Sequence, residues 1–299
     1  MILFDVSSGR EIRALWKPYY GGGVDHIAFS PDGKKAVTGG TDGIILWDLE
    51  TGKMIKLFEG SLPSKSNVSG PCVDFSPDGG YILSGDFEDN IVLWKTETYE
   101  KIRTFNPGAG RPDKLKGTVH SLKFSPDGRM ALSAGDRLIL WDAVTGGIVR
   151  IFSGHKTTVV GSIITADGQK VLSGSWDNSL KVWSPESGEL LRSIKLKRFT
   201  EMVSFSPDGK YAATGRKHSS VSIDISGIKD GALSKTLQLS KGKDGLSFTI
   251  SPDGGKIAVG LCGRIELWDV EYGKRILTLK RRPTLPLIID DIVWRYVRM

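Results

Sequence analysis

The sequence predicts an all-β chain made of one repeated four-stranded unit, and three observations predict it. A turn signature of the form Phe-Ser-Pro-Asp-Gly recurs along the chain. A tryptophan, often followed by aspartate, recurs at a fixed place downstream of that signature. Short apolar runs of strand length fill the intervals.

The turn comes first. Phe29-Ser30-Pro31-Asp32-Gly33 returns as 75–79, 124–128, 205–209 and, with isoleucine in front, 250–254; Ile164-Thr165-Ala166-Asp167-Gly168 is a degraded copy, and the spacing runs from 40 to 49 residues. Proline presets φ at the second place of a type I turn and Asp-Gly completes it, so each copy joins two antiparallel strands. Apolar residues such as Val24, Ile27 and Phe29 lead into the turn, and a second run, Lys35-Ala36-Val37-Thr38-Gly39, leaves it. A third run ends on the tryptophan, as in Ile45-Leu46-Trp47-Asp48, Ile139-Leu140-Trp141-Asp142 and Glu266-Leu267-Trp268-Asp269, with Ile223-Asp224 taken as its counterpart in the fifth unit. A glycine turn such as Glu50-Thr51-Gly52-Lys53 follows, and Met54 to Phe58 exemplifies the fourth run.

Four strands per period of this length predict a β-propeller. One four-stranded unit cannot bury both of its faces, so neighbours must stack and the array must close. Six full repeats occupy about 24–279. Residues 1–16 resemble a third and fourth strand, with Phe4-Asp5 where Trp-Asp would stand, and 287–299 contain a first strand around Trp294. The expectation is a single domain over 1–299, a propeller of seven blades whose incomplete seventh is shared by the two ends. Only five residues follow Trp294, so a chain forming part of a longer repeat or multidomain protein is the alternative.

The Trp-Asp pairs, the Ser-Pro-Asp-Gly turns and the Gly154-His155 pair together resemble the WD-repeat family over essentially the whole chain. The resemblance implies an internal hydrogen-bond network in the fourth unit of His155, Ser173, Asp177 and Trp183. A serine, a histidine and an aspartate so close in sequence also pose the question of a catalytic triad. A nucleophile would need an exposed serine beside an oxyanion hole and would not need the tryptophan. Other units carry pieces of the same set: Thr38, Asp42 and Trp47; Ser84, Glu88 and Trp94; Thr214; Val259 and Trp268. Scattered partial copies point to architecture, not catalysis.

Composition is that of a globular chain, 39% hydrophobic and 25% charged, with 37 glycines that match a turn-rich fold. The net charge of +7 favours acidic partners, and a basic concentration at Lys274 to Arg282 reads as a strand with a basic flank. Nucleic-acid binding would rest on charge alone. Cys72 and Cys262 have no CxxC partner, so no zinc site is read, and His26, His120 and His218 read as strand or turn histidines rather than metal ligands. No metal or cofactor is expected. The start of the chain has no basic segment followed by an apolar run, and no stretch is apolar for the length of a membrane span, so the expected location is cytoplasmic.

Function then falls to loops. The resemblance places the connections between second and third strands, and those between blades, on one face of the ring. Tyr19, Tyr20, Phe87 and Trp176 are aromatic residues in such loops, and Arg111, Lys114 and Lys116 make one long loop positive. These seven are the candidate partner-binding residues. The expectation is a non-enzymatic scaffold that binds protein or peptide partners, acidic or phosphorylated ones suiting the charge, as a monomeric propeller within a complex. An enzyme framed by the propeller would need groups converging in the central channel, for which Asp25, His120 and Glu201 are the candidates.

Overall fold

The computed structural model describes residues 2–6, 8–15, 24–58, 71–85, 90–105, 118–216, 222–239, 247–261 and 264–280. Among them lie six four-stranded antiparallel sheets and one two-stranded sheet, and no helix. The sheets are the blades of a β-propeller, spanning 24–58, 73–105, 121–152, 159–195, 202–238 and 247–280 for blades one to six. Within each, four consecutive strands pair in sequence order. Blade four, for example, is built from Val159–Ile164, Val171–Ser175, Ser179–Trp183 and Leu190–Lys195.

The recurrent turn has a local cause. In blade one Gly33 N donates to Ser30 O at 2.8 Å, Ser30 Oγ donates to Asp32 Oδ1 at 2.6 Å, and Lys34 N donates to the same carboxylate oxygen at 3.0 Å. The aspartate therefore satisfies the backbone donor that the turn exposes, the general reason such residues sit in turns. These bonds, Ser30 foremost, hold the Asp32 carboxyl below its ordinary range, and Ser76 and Ser125 do the same for Asp78 and Asp127.

The core is divided into seams. Alternate residues of a strand point to opposite faces. In blade one, Leu46 packs with Val73, Phe75 and Trp94 of blade two, while Ile45 and Trp47 pack on the other side with Leu15. The same division repeats around the ring, so that each apolar cluster contains residues of two adjacent blades. A phenylalanine ending one blade meets the tryptophan of the next: Phe58 with Trp94, Phe105 with Trp141 and Phe152 with Trp183, at ring separations of 4.9, 5.9 and 5.6 Å. Stacking, not the isolated blade, removes these rings from water, and truncating one costs about 3–5 kcal/mol in a close-packed core.

The two-stranded sheet, Ile2–Phe4 with Glu11–Ala14, takes a seat beside blades six and one. A Cβ added at Gly9 would lie 3.1 Å from Leu277 and from Leu279 of blade six, and Arg13 Nη1 donates to Thr51 O of blade one at 3.3 Å. The expected contribution of 287–299 to this blade lies outside the described residues.

Register corrects one detail. In blades one to four and six the tryptophan faces an apolar residue of the second strand, as Trp47 faces Ala36 and Trp183 faces Val171. In blade five the residue facing Ala212 is Ser226, so Ser226 and not Ile223 holds the tryptophan's place. Ile223 is fully buried three residues earlier, where the strand points into the seam with blade six.

Candidate functional site

Blade four carries a continuous polar chain. Trp183 Nε1 donates to Ser173 Oγ at 2.8 Å; Ser173 Oγ lies 2.8 Å from His155 Nε2; His155 Nδ1 lies 2.9 Å from Asp177 Oδ2. The indole is only a donor and the carboxylate only an acceptor, so one proton order satisfies every group. Ser173 receives the indole proton and gives its own to His155 Nε2, and the Nδ1 proton goes to Asp177. Gly154 is required just before: its φ is +153° and a Cβ there would sit 3.1 Å from the Trp183 ring.

The environment fixes the charge states. Burial pushes the His155 imidazole below its ordinary pKa, against the pull of Asp177, which favours the neutral ring that the chain of bonds needs. Burial alone would raise the Asp177 carboxyl, yet bonds from Ser179 Oγ, Lys156 N and His155 hold it down at about 2. Ser173 is fully buried, so its hydroxyl is sealed from any substrate. The arrangement can hold the blade together; it does not present a nucleophile.

Other blades keep shorter versions. Trp47, Trp94 and Trp141 donate to Thr38, Ser84 and Ser133 at 2.9, 2.8 and 2.9 Å. Blade six differs, because Val259 offers no hydroxyl. There Trp268 Nε1 donates to Glu266 Oε2 at 3.2 Å, and Arg264 and Arg275 hold the other carboxylate oxygen at 3.1 and 3.2 Å. Glu266 is 0% exposed, a buried charge made tolerable by those two guanidinium groups. The sequence alone did not single it out, because its role depends on Arg275, brought in from the neighbouring strand by the pairing of 264–269 with 275–280.

The first strands of the blades enclose a central channel of about 900 Å³. Asp25, His120 and Glu201 all line it, but from blades one, three and five, so the strands do not gather them into one constellation. His26 Nε2 lies 3.4 Å from Cys72 Sγ, and that thiol donates to Val119 O at 3.1 Å. Among the described residues no three of His, Cys, Asp and Glu form a metal-holding group.

At one mouth of the channel stands Trp176, 40% exposed, with its ring 5.7 Å from that of His120. Its turn is clasped by neighbouring loops: Trp176 N donates to Thr158 O, Leu196 N to Asn178 O, and Thr200 N to Asn178 Oδ1. The last of these loops brings Phe199, also 40% exposed, to the same mouth, where the guanidinium of Arg216 lies 5.7 Å over its ring. Phe199, Arg198 and Arg216 are candidates that the sequence reading missed. The signal was the run Arg192 to Arg198, which carries four cations beside a phenylalanine but straddles a strand end. Tyr19, Tyr20, Phe87, Arg111, Lys114 and Lys116, like His218, lie outside the described residues.

Residues 16–48, 52–95, 111–142 and 146–184 match the family profile "WD domain, G-beta repeat". The chain belongs to the WD-repeat family. The four matched segments stop before blade five, where Ser226 has replaced the tryptophan. Similar curated proteins are Protein tipD of Dictyostelium discoideum, 29% identical over 85% of this chain and 41% of that protein, and Autophagy-related protein 16 of Arabidopsis thaliana, 28% identical over 89% and 51%. A guanine nucleotide-binding protein subunit beta of Oryza sativa subsp. japonica is 26% identical over 61% and 50%. The WD-repeat chain thus spans about half or less of the length of these relatives. WD-repeat proteins typically act as scaffolds for protein interaction and are generally non-enzymatic.

Proposed function

We propose that this WD-repeat chain is a non-enzymatic scaffold that binds a partner protein through the loop face at the channel mouth, as a single propeller within a complex. One observation carries the reading. Trp176 keeps a large apolar surface in water at a concave mouth, on a turn held rigid from both sides by the loops at 156–158 and 196–200. A fixed aromatic side chain loses little entropy on being covered, which is why such residues dominate interface energetics. That WD-repeat proteins typically act as scaffolds for protein interaction supports the reading. The test is affinity capture with the whole chain and with Trp176→Ala, whose fold is verified by circular dichroism. Specific partners that bind the parent and not the folded variant support the reading; partners retained in full by the variant overturn it.

A further inference from the structure

We infer that the mouth between blades four and five takes an acidic segment of a partner protein, one in which apolar side chains alternate with carboxylates. The inference rests on the scaffold reading above and adds the chemistry of the partner. Five exposed cations surround the Trp176 turn: Lys156, Lys195, Lys197, Arg198 and Arg216. The backbone ties them to it. Lys156 N donates to Asp177 Oδ2, the 195–200 segment binds Asn178, and Arg216 Nε donates to Phe199 O at 3.2 Å. The acidic residues nearby offset them only in part. Asp177 points inward to His155, Asp224 accepts from Thr236 at 2.7 Å and pairs with Arg198 Nε at 3.9 Å, and Glu201 is half-buried in the channel wall, which leaves Asp136, bonded by Thr158 at 3.4 Å, as the exposed carboxylate facing these cations. Arg198 keeps 66% of its side chain in water. Positive potential next to two aromatic anchors selects a partner with both carboxylates and apolar groups.

The same composition could suit a single-stranded nucleic acid, whose bases stack on aromatic faces. Here each ring already has a neighbour on one side, the Arg216 guanidinium 5.7 Å from the Phe199 centroid and the His120 ring 5.7 Å from that of Trp176, so a base has less free face to stack on while the carboxylates of a peptide still meet the surrounding cations.

The probe is a fluorescently labelled peptide of alternating glutamate and leucine, compared with its glutamine counterpart and with an oligothymidine of equal charge, on the whole chain. Expected is saturable binding of the glutamate peptide that weakens with salt, about tenfold weaker binding of the glutamine peptide, and a similar loss in an Arg198→Gln/Arg216→Gln variant. Lys195→Gln/Lys197→Gln, which alters two exposed side chains away from the Phe199 contact, weakens binding in the same direction and guards against misfolding of the first variant. Equal binding of the two peptides, or tighter binding of oligothymidine, overturns the inference. If natural partners depend on Trp176 and ignore both charge variants, the acidic-segment inference fails while the scaffold reading stands. If they ignore Trp176 as well, the scaffold reading fails.

Discussion

The stem of Arg150, on the outer strand of blade three, lies across Gly188 in the last turn of blade four, so closely that a Cβ on the glycine would sit 2.7 Å from Arg150 Cδ. The guanidinium continues to Glu186 O of the same turn. Arg13 over Gly52, Arg103 over Gly146 and Lys235 over Gly273 repeat the arrangement between other neighbours. At these four junctions a basic side chain clasps the next blade, while Ile194 over Gly231 and Leu277 with Leu279 over Gly9 do so with apolar groups, and part of the positive charge of the chain serves stacking.

Gly188→Ala tests the clasp. Its φ of +79° and the contact with Arg150 both penalise a methyl group. Gly168 has a φ of +71° but nothing within 4 Å of the added Cβ, so Gly168→Ala carries the backbone strain alone. Both variants should lose stability, on the order of 1–3 kcal/mol, with Gly188→Ala the worse. Urea midpoints measure the difference, and equal midpoints would show that the arginine simply moves aside.

Ser173→Ala leaves the Trp183 indole and His155 Nε2 facing each other without the hydroxyl that joins them. The expected cost is about 1–3 kcal/mol for a buried group left unpaired. Combining it with Trp183→Phe, which removes the orphaned donor, should cost less than the sum of the two single changes. A double-mutant cycle by denaturant unfolding reads the coupling directly.

Glu266→Ala exposes two arginines and an indole to the loss of a shared acceptor. Because the carboxylate is wholly buried, removal should destabilise blade six by about 3–5 kcal/mol. The replacement Glu266→Gln keeps the Trp268 bond but not the ionic ones, and thermal unfolding should place it between the parent and Glu266→Ala.

Stability should fall in acid in two stages. Burial depresses both His155 and His120 below 6.5, opposed by Asp177 and Asp136 respectively. The unfolded chain then takes up protons as pH drops through 6.5 while the folded chain does not, so stability is lost across that interval. A further loss begins at 3.8, where the unfolded chain protonates Asp177 while the folded chain keeps it ionised down to about 2. Urea midpoints taken from about pH 8 downward check this; His155→Gln should flatten the first slope in part, with His120 supplying the remainder.

What the sequence made legible is what repeats. Ser30 bonded to Asp32, or Trp47 to Thr38, recurs from blade to blade, and recurrence exposes a local rule to inspection. What it concealed is what occurs once. Glu266, on the tryptophan's own strand, replaces a second-strand hydroxyl by a carboxylate, and Ser226 takes a tryptophan's place without any nearby signature. Phe199 and Arg216 come from opposite ends of a hairpin and meet only because blade five folds them to one mouth. Pairing of this kind depends on strand register, which a single sequence does not display.

The most direct measurement is hydrogen–deuterium exchange of the chain with and without a captured partner. Protection of the Trp176 turn and of the 196–201 connection, with the outer strand Leu190–Lys195 unchanged, is the result expected of a scaffold that binds through its channel mouth. Protection confined to the outer strands, with the mouth exchanging as in the free chain, would contradict it.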